Sequence, residues 1–293
     1  MSDRPAQATT MIGLELPDVD IWSERAVVAL GQNPGLFTGP GTNTYLVGTG
    51  PERILLDTGQ GLPAYLPVLE QALARVNCRI QEIVLTHGHV DHIRGVEGIC
   101  EQYGPLRVSK FPWPEFDRAC AVEMTPLADG DVVGCEGATL RALHTPGHAA
   151  DHLCFMLEEE QSAFSGDNVL GVGTTVIPAE GGDLREYMRS LDKLLEESPR
   201  RIYPAHGPCI DGGAAKLREY IAHREQREEE VLAALGDGRH TISEIVSLVY
   251  AAYPESLHPA ARMSVCSHLL KLRREGRVES RGDDALHAHW QLR

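Results

Sequence analysis

Three imidazoles and a carboxylate fall within six positions in Thr86-His87-Gly88-His89-Val90-Asp91-His92. Neutral imidazole and carboxylate are the ligand types that zinc accepts. The run follows the apolar stretch Ile83-Val84-Leu85, so a buried strand ending in this loop would deliver several donors to one spot. Gly88 is expected to let the backbone turn tightly without a Cβ clash. Further His and Asp residues follow in short Gly- and Pro-containing motifs. They are His148 in Thr145-Pro146-Gly147-His148, Asp167 in Ser165-Gly166-Asp167, and His206 in Pro204-Ala205-His206-Gly207. Asp57 stands upstream in Leu55-Leu56-Asp57-Thr58-Gly59. Metal-assisted hydrolysis needs no serine triad and no cysteine nucleophile, and neither is invoked.

The elements that must carry these residues can be traced from the periodicity. Ala26–Leu30, Thr44–Val47, Ile54–Leu56 and Ile83–Leu85 read as strands. Residues 63 to 76 and 184 to 195 have apolar side chains at helical spacing, and a second strand-rich tract runs from 138 to 167. Two groups of strands with interspersed helices predict a layered α/β protein. After His206 the texture changes. Residues 214 to 235 form one long Glu- and Arg-rich helical stretch, followed by a Gly-Asp-Gly break at 236 to 238. Helical patterns near 242 to 250 and 260 to 275 precede an alternating tail with the turn signal Arg281-Gly282-Asp283-Asp284. Helix, helix, hairpin is winged-helix order. The expected division is a catalytic domain over 1–228 and a small winged-helix-like domain over 229–293.

Composition narrows the functional classes. The chain has 293 residues and a formal charge of −15. From residue 225 onward there are 9 Lys and Arg against 11 Asp and Glu, so the acidity is concentrated before that point. Polyanion binding draws on clustered Lys and Arg, and no such cluster is visible there. Nucleic acid is disfavoured as the main ligand, although bound zinc would add a positive field that formal charge omits. The seven cysteines are scattered, odd in number and never in a C-x-x-C pair, which predicts reduced thiols. No signal peptide and no membrane-length apolar run is found, so a cytoplasmic protein without a membrane partner is expected.

The HxHxDH run is similar to the metal signature of the metallo-β-lactamase superfamily, and the downstream landmarks follow in that superfamily's order. The resemblance covers about residues 25 to 210. It implies a dinuclear zinc site, with two Zn²⁺ per chain. His87, His89 and His148 would hold one ion, Asp91, His92 and His206 the other, and Asp167 would bridge them. Asp57 would buttress the metal loop, and the fold would be an αββα sandwich with the site at one edge. Two zinc ions ~3.5–4 Å apart can share a hydroxide at neutral pH, which attacks a carbonyl or phosphoryl centre. Asp91 then has a catalytic role beside ligation, orienting the nucleophile.

Within the superfamily the chain resembles the branch of β-lactamase-like protein 2 and its bacterial and fungal relatives. The resemblance rests on Gly41-Thr42-Asn43-Thr44-Tyr45, Gly171-Val172-Gly173-Thr174-Thr175, Tyr203-Pro204-Ala205-His206-Gly207-Pro208 and Tyr220-Ile221-Ala222-His223-Arg224, among other stretches. That branch carries a winged-helix-like C-terminal domain. Its animal members cleave single-stranded RNA, and fungal relatives release polyketides from acyl carrier proteins. Two departures from the animal members are the glycine at position 88 and Ile93-Arg94 after the metal loop. Asn43 and His223 are candidate substrate contacts. His144 and Asp151-His152 are expected to be partners of ligands rather than ligands. The leading expectation is hydrolysis of an ester, thioester or lactone, small or carrier-bound. A single-strand endoribonuclease with RNA as ligand is the runner-up, and a ligand-sensing DNA-binding module is the third reading. The C-terminal domain is also a candidate surface for oligomerisation.

Overall fold

Both faces of the central strands are apolar, and the structure buries both. The computed structural model describes residues 11, 13–117, 122–282 and 284–293. Its first sheet has seven strands in sequential order: β1 (Val19–Ile21), β2 (Ala26–Leu30), β3 (Asn43–Val47), β4 (Glu52–Leu56), β5 (Arg79–Val84), β6 (Val108–Lys110) and β7 (Met124–Pro126). Helix α1 (Tyr65–Arg75) joins β4 to the parallel β5. Helices α2 (Val90–Ile93) and α3 (Val96–Tyr103) join β5 to the parallel β6. The short α4 (Pro114–Asp117) follows β6. Such parallel neighbours need a crossover connection, which is why helices appear at these places.

The second sheet contains β8 (Val132–Cys135), β9 (Ala138–His144), β10 (Leu153–Leu157), β11 (Ser162–Gly166), β12 (Arg201–Pro204) and β13 (Ile210–Asp211), again in sequential spatial order. Helix α5 (Leu184–Glu196) makes the crossover between the parallel pair β11 and β12. Asp183 caps α5 by accepting hydrogen bonds from the backbone N–H of Arg185 and Glu186.

Strand alternation distributes the core into three layers. Val28, Ile54 and Leu56 of the first sheet meet Leu140, Phe155 and Phe164 of the second between the sheets. Their chain neighbours Val27, Leu55 and Ile83 point the other way, onto Leu69 of α1 and Ile99 of α3. On the far side, Cys154 and Met156 of β10 pack beneath Tyr187 and Leu191 of α5. Helix, sheet, sheet, helix is the expected αββα arrangement, and runs apolar on both faces are what a doubly covered sheet demands. The segment expected as Ile83–Leu85 extends backward to Arg79, and Leu85 lies just past the strand end.

Helix α6 (Gly213–Gly236) leaves the sandwich and continues into the C-terminal body without a break, passing through the division expected at 228/229. Its first turns give Leu217 and Tyr220 to the core under α5, and its last turns give Val231, Ala234 and Leu235 to a separate core. That second core is completed by α7 (Ile242–Val249), α8 (His258–Arg274) and the antiparallel hairpin β14 (Val278–Arg281) and β15 (His289–Leu292), around the fully buried Trp290. Thr241 and Glu244 form a reciprocal capping box that starts α7. This is the expected winged-helix order. Asp283 of the expected hairpin turn and Cys120 lie outside the described residues, as does most of the segment before Val19. The six described cysteines are free thiols, and among the described residues no helix is long and apolar enough to cross a membrane.

Candidate metal centre

The ends of both sheets converge on one edge of the sandwich. The loop after β5 brings His87 and His89, and α2 begins at once so that Asp91 and His92 project from its first turn. The loop after β9 brings His148, the exit of β11 brings Asp167, and the exit of β12 brings His206. Ligand atoms of His87, His89, His148 and Asp167 lie within 4.8 Å of one another, and so do those of Asp91, His92, Asp167 and His206.

The spacing inside each group is that of a coordination sphere. Donors bound to one tetrahedral zinc at about 2.0–2.1 Å stand about 3.3 Å apart. His89 Nδ1 lies 3.0 Å from His87 Nε2 and 3.0 Å from His148 Nε2. His148 Nε2 lies 3.4 Å from Asp167 Oδ2. In the other group His92 Nε2 is 3.5 Å from Asp91 Oδ2 and 3.4 Å from Asp167 Oδ1. His206 Nε2 is 3.3 Å from Asp91 Oδ2 and 3.2 Å from Asp167 Oδ1. Asp167 thus turns one oxygen to each group. Its Oδ1 and the Nε2 of His92 are buried without a hydrogen-bond partner. Orphaned buried polar atoms are rare and call for a ligand, and a cation in the second group satisfies both. The donor set fits two metal ions.

Each ring is turned by a second partner. Thr86 donates to Asp57 through its backbone N–H (2.8 Å) and its hydroxyl (2.9 Å). That hydroxyl proton is thereby committed, so His87 Nδ1 donates to Thr86 Oγ1 at 3.0 Å. Asp57 Oδ2 takes the Nδ1 proton of His92 at 2.8 Å. His148 Nδ1 donates to the Val176 carbonyl at 3.0 Å, and His206 Nδ1 to that of Gly41 at 3.3 Å. In these four rings the proton sits on Nδ1, which leaves the Nε2 lone pair for a metal. Asp57 holds its place with φ +60°, a left-handed conformation that Asp tolerates better than most residues.

Gly88 makes its turn without a positive φ. The constraint sits instead at Gly166, with φ +49°, where a Cβ would stand 2.5 Å from His152 Nε2. That close approach lets the Asp167 N–H donate to His152 Nε2 at 3.1 Å. His152 therefore aims the shared carboxylate. Asp151 accepts from the fully buried Lys110 at 2.6 Å, and Lys110 also reaches Asp117 at 2.8 Å. His144 stacks on Phe111 with centroids 3.9 Å apart and points Nε2 at the Ala150 carbonyl (2.9 Å). Nothing in the sequence reading marked Lys110, because a lysine's burial is decided by distant partners.

The electrostatics of the two groups differ. Burial, then His92 and His89, hold the His87 imidazole well below its ordinary range. Burial likewise pushes His148 down to about 4. Around Asp91 and Asp167, burial opposes ionisation, but His92 and His206 outweigh it. Asp91 is held down at about 2 and Asp167 well below the carboxylate range. In the second group burial opposes the charged imidazole, but Asp91, Asp57 and Asp167 hold His92 well above its ordinary range, and Asp167 and Asp91 raise His206 to about 9, so a metal ion binding there would displace the Nε2 protons of these two rings.

The cluster opens into a cavity of about 560 Å³ that runs to the C-terminal body. His89, Asp91, His148, Asp167 and His206 form its floor. Leu36 and Phe37, both exposed, stand at one rim, while Tyr250, Leu257 and Met263 close the far side. His223 lines the cavity as expected. Asn43 does not. Its amide is fully buried and donates to the carbonyls of Pro204 (2.9 Å) and Gly207 (2.8 Å), clamping the His206 loop instead of meeting a substrate.

Comparison with known proteins agrees with this architecture. The family model of the metallo-beta-lactamase superfamily matches residues 37–206, and that of the beta-lactamase associated winged helix domain matches residues 241–290. An atrochrysone carboxyl ACP thioesterase from Aspergillus chevalieri is 42% identical over 254 residues, covering 84% of this chain and 80% of the relative. A beta-lactamase-like protein 2 homolog from Caenorhabditis elegans is 42% identical over 263 residues, covering 88% and 87%. Among solved structures, a metallo-beta-lactamase family protein from Thermus thermophilus aligns with TM-score 0.70 and 28% identity over 86% of this chain and 94% of that one. The chain belongs to the metallo-beta-lactamase superfamily and is one of its hydrolases, with the associated winged-helix domain at its C-terminus.

Proposed function

We propose that this protein hydrolyses acyl thioesters, or closely related esters and lactones, presented as small molecules or on a carrier, with two zinc ions as cofactor. His87, His89 and His148 would hold one ion and Asp91, His92 and His206 the other, with Asp167 shared between the two groups. The observation that carries the reading is the convergence of seven donor side chains, five of them at the floor of a large cavity whose upper walls are mainly apolar. An acyl chain fits such walls, and its carbonyl would lie at the floor. The thioesterase named among the relatives supports the same reaction class.

When bound, the metals supply a water activated at neutral pH and a positive charge for the oxygen that becomes negative. The protein's own groups do the rest. Asp57, Val176 and Gly41 fix the imidazoles so that no reorganisation is needed as charge develops. Asp91 engages His92 and His206 through Oδ2, which leaves Oδ1 to accept the proton of the attacking water. The apolar walls exclude bulk water around the acyl chain.

The test is turnover of the zinc-loaded protein on acyl thioesters, aryl esters, lactones, a phosphodiester and labelled single-stranded RNA, with Asp91→Ala as control. Thioester cleavage that is lost in Asp91→Ala and on chelation is expected. RNA cleavage with thioesters untouched would overturn the proposal in favour of an endoribonuclease.

A further inference from the structure

Helix α6 places two guanidinium groups one turn apart on the cavity wall, and they are in different states. Arg227 has a counter-charge: it pairs with Glu230 at 2.6 Å, donates to the Val249 carbonyl at 3.1 Å and lies 4.2 Å over the Tyr250 ring, although its Nε has no partner. Arg224 is just as buried, at 4% exposure, yet among the described residues no carboxylate lies within 4 Å of it. Glu228, one turn on, has its oxygens engaged by Lys271 and Arg277. Arg224 donates Nη2 to the Thr175 carbonyl and faces the Tyr187 ring at 5.3 Å, while its Nε has no partner. Beside it His223 also lines the cavity with a buried, unpartnered Nδ1. Burial, then Arg224 and Arg227, keep that imidazole below its ordinary range, so it adds no second positive charge beside Arg224.

A buried cation without a counter-charge is strongly unfavourable, and it persists where a ligand completes the pair. Arg224 is also near the floor. The carbonyl it holds belongs to Thr175, whose hydroxyl lies 3.3 Å from His148 Nδ1. A group paired with Arg224 would therefore lie close to the floor and to the bond that is cleaved there. We propose that Arg224 is a specificity-determining residue that receives a negatively charged group on the acyl part of the substrate: a carboxylate, or an ionised enol or phenol. The remainder of that acyl part fills the apolar space toward Leu257 and Met263. This rests on the acyl-hydrolase reading above.

The experiment uses two non-hydrolysable thioether analogues on a short unphosphorylated thiol. They have equal length, one ending in a carboxylate and the other in the corresponding amide. Their binding to the zinc-loaded full chain is measured by calorimetry for the parent, Arg224→Gln and Arg224→Lys. The parent should prefer the carboxylate, and Arg224→Gln should lose about tenfold or more on that analogue alone, since a charged partner is removed. Arg224→Lys should retain part of the preference, because a point charge replaces a fork. Equal losses on both analogues would overturn the proposal and leave Arg224 as a brace for Thr175. So would a parent without preference, or a preference seen only with phosphorylated coenzyme A analogues. Thioester turnover is assayed in parallel; its absence beside an intact carboxylate preference would sink the hydrolase reading and spare the anion subsite.

Discussion

The two ends of the cavity are built by opposite means. At the floor, four of the five imidazoles are held by a second hydrogen bond to a backbone carbonyl or an anchored oxygen. The donors come from strand ends whose positions are set by two sheets. At the far end, α6, α7 and α8 present Tyr250, Leu257 and Met263, and the polar wall carries Arg224, which has no carboxylate within 4 Å among the described residues. The difference separates two tasks. Reaction chemistry needs donors fixed to a fraction of an ångström, whereas substrate choice needs surface and a few oriented charges.

The sharpest way to break this division is at the floor. Asp167→Ala, which removes the carboxylate shared by both groups, should bring turnover to background and reduce zinc content below two ions per chain, read by kinetics and metal analysis. Extensive dialysis against chelator should do the same. At the opposite end, Trp290→Ala should destabilise the C-terminal core by about 3–5 kcal/mol, because it empties the largest fully buried side chain. Denaturant titration checks this, with zinc content expected to stay at the parent value in the folded protein. Asp57→Asn leaves the volume of the floor intact but withdraws the charge that holds the His92 proton. Zinc affinity should fall about 10–100-fold in competition with a chelator.

The mildest effect is pH dependence in the C-terminal body. Burial pushes His268 down to about 4. Burial works against ionisation of Glu228, but His268 and Lys271 outweigh it and draw Glu228 down to about 2. The unfolded chain takes up the histidine proton near pH 6.5. Stability is thus present above that pH and falls progressively toward pH 4. The Glu228 contribution goes next, between about pH 4.3 and 2, as the unfolded carboxylate protonates first. Hydrogen exchange of α8 across this range should show the loss, and His268→Leu should flatten its upper part.

The same division explains what was legible beforehand. The His87 to His92 run could be read from local spacing after an apolar strand, whereas Asp57, His148, Asp167 and His206 were placed by their short motifs' resemblance to the superfamily's landmarks. The pattern alone gave a layered α/β protein, and the αββα order came from the resemblance to the superfamily; the apolar runs of β4 and β10 agree with a sheet covered on both faces. Asn43 was misplaced because its partners, Pro204 and Gly207, are more than 160 positions away. Lys110, fully buried against Asp151, gives no sign of that fate in its own neighbourhood. His223 was noticed and does line the cavity, but the state of Arg224 depends on which carboxylates its neighbours have already taken. Pairing of that kind is a property of the assembled structure.

Helix α6 makes the two ends answer to one register. Its early turns are packed under α5 and its late turns inside the C-terminal core, with Arg224 and Arg227 between. Because each residue of a helix turns the chain by about 100° and advances it about 1.5 Å, one residue inserted between Tyr220 and Arg224 would swing the entire C-terminal body around the axis. The cavity would lose its far wall while every metal ligand stayed in place. A change of reach or of acyl shape is therefore available through the phase of a single helix, with the hydrolytic floor untouched.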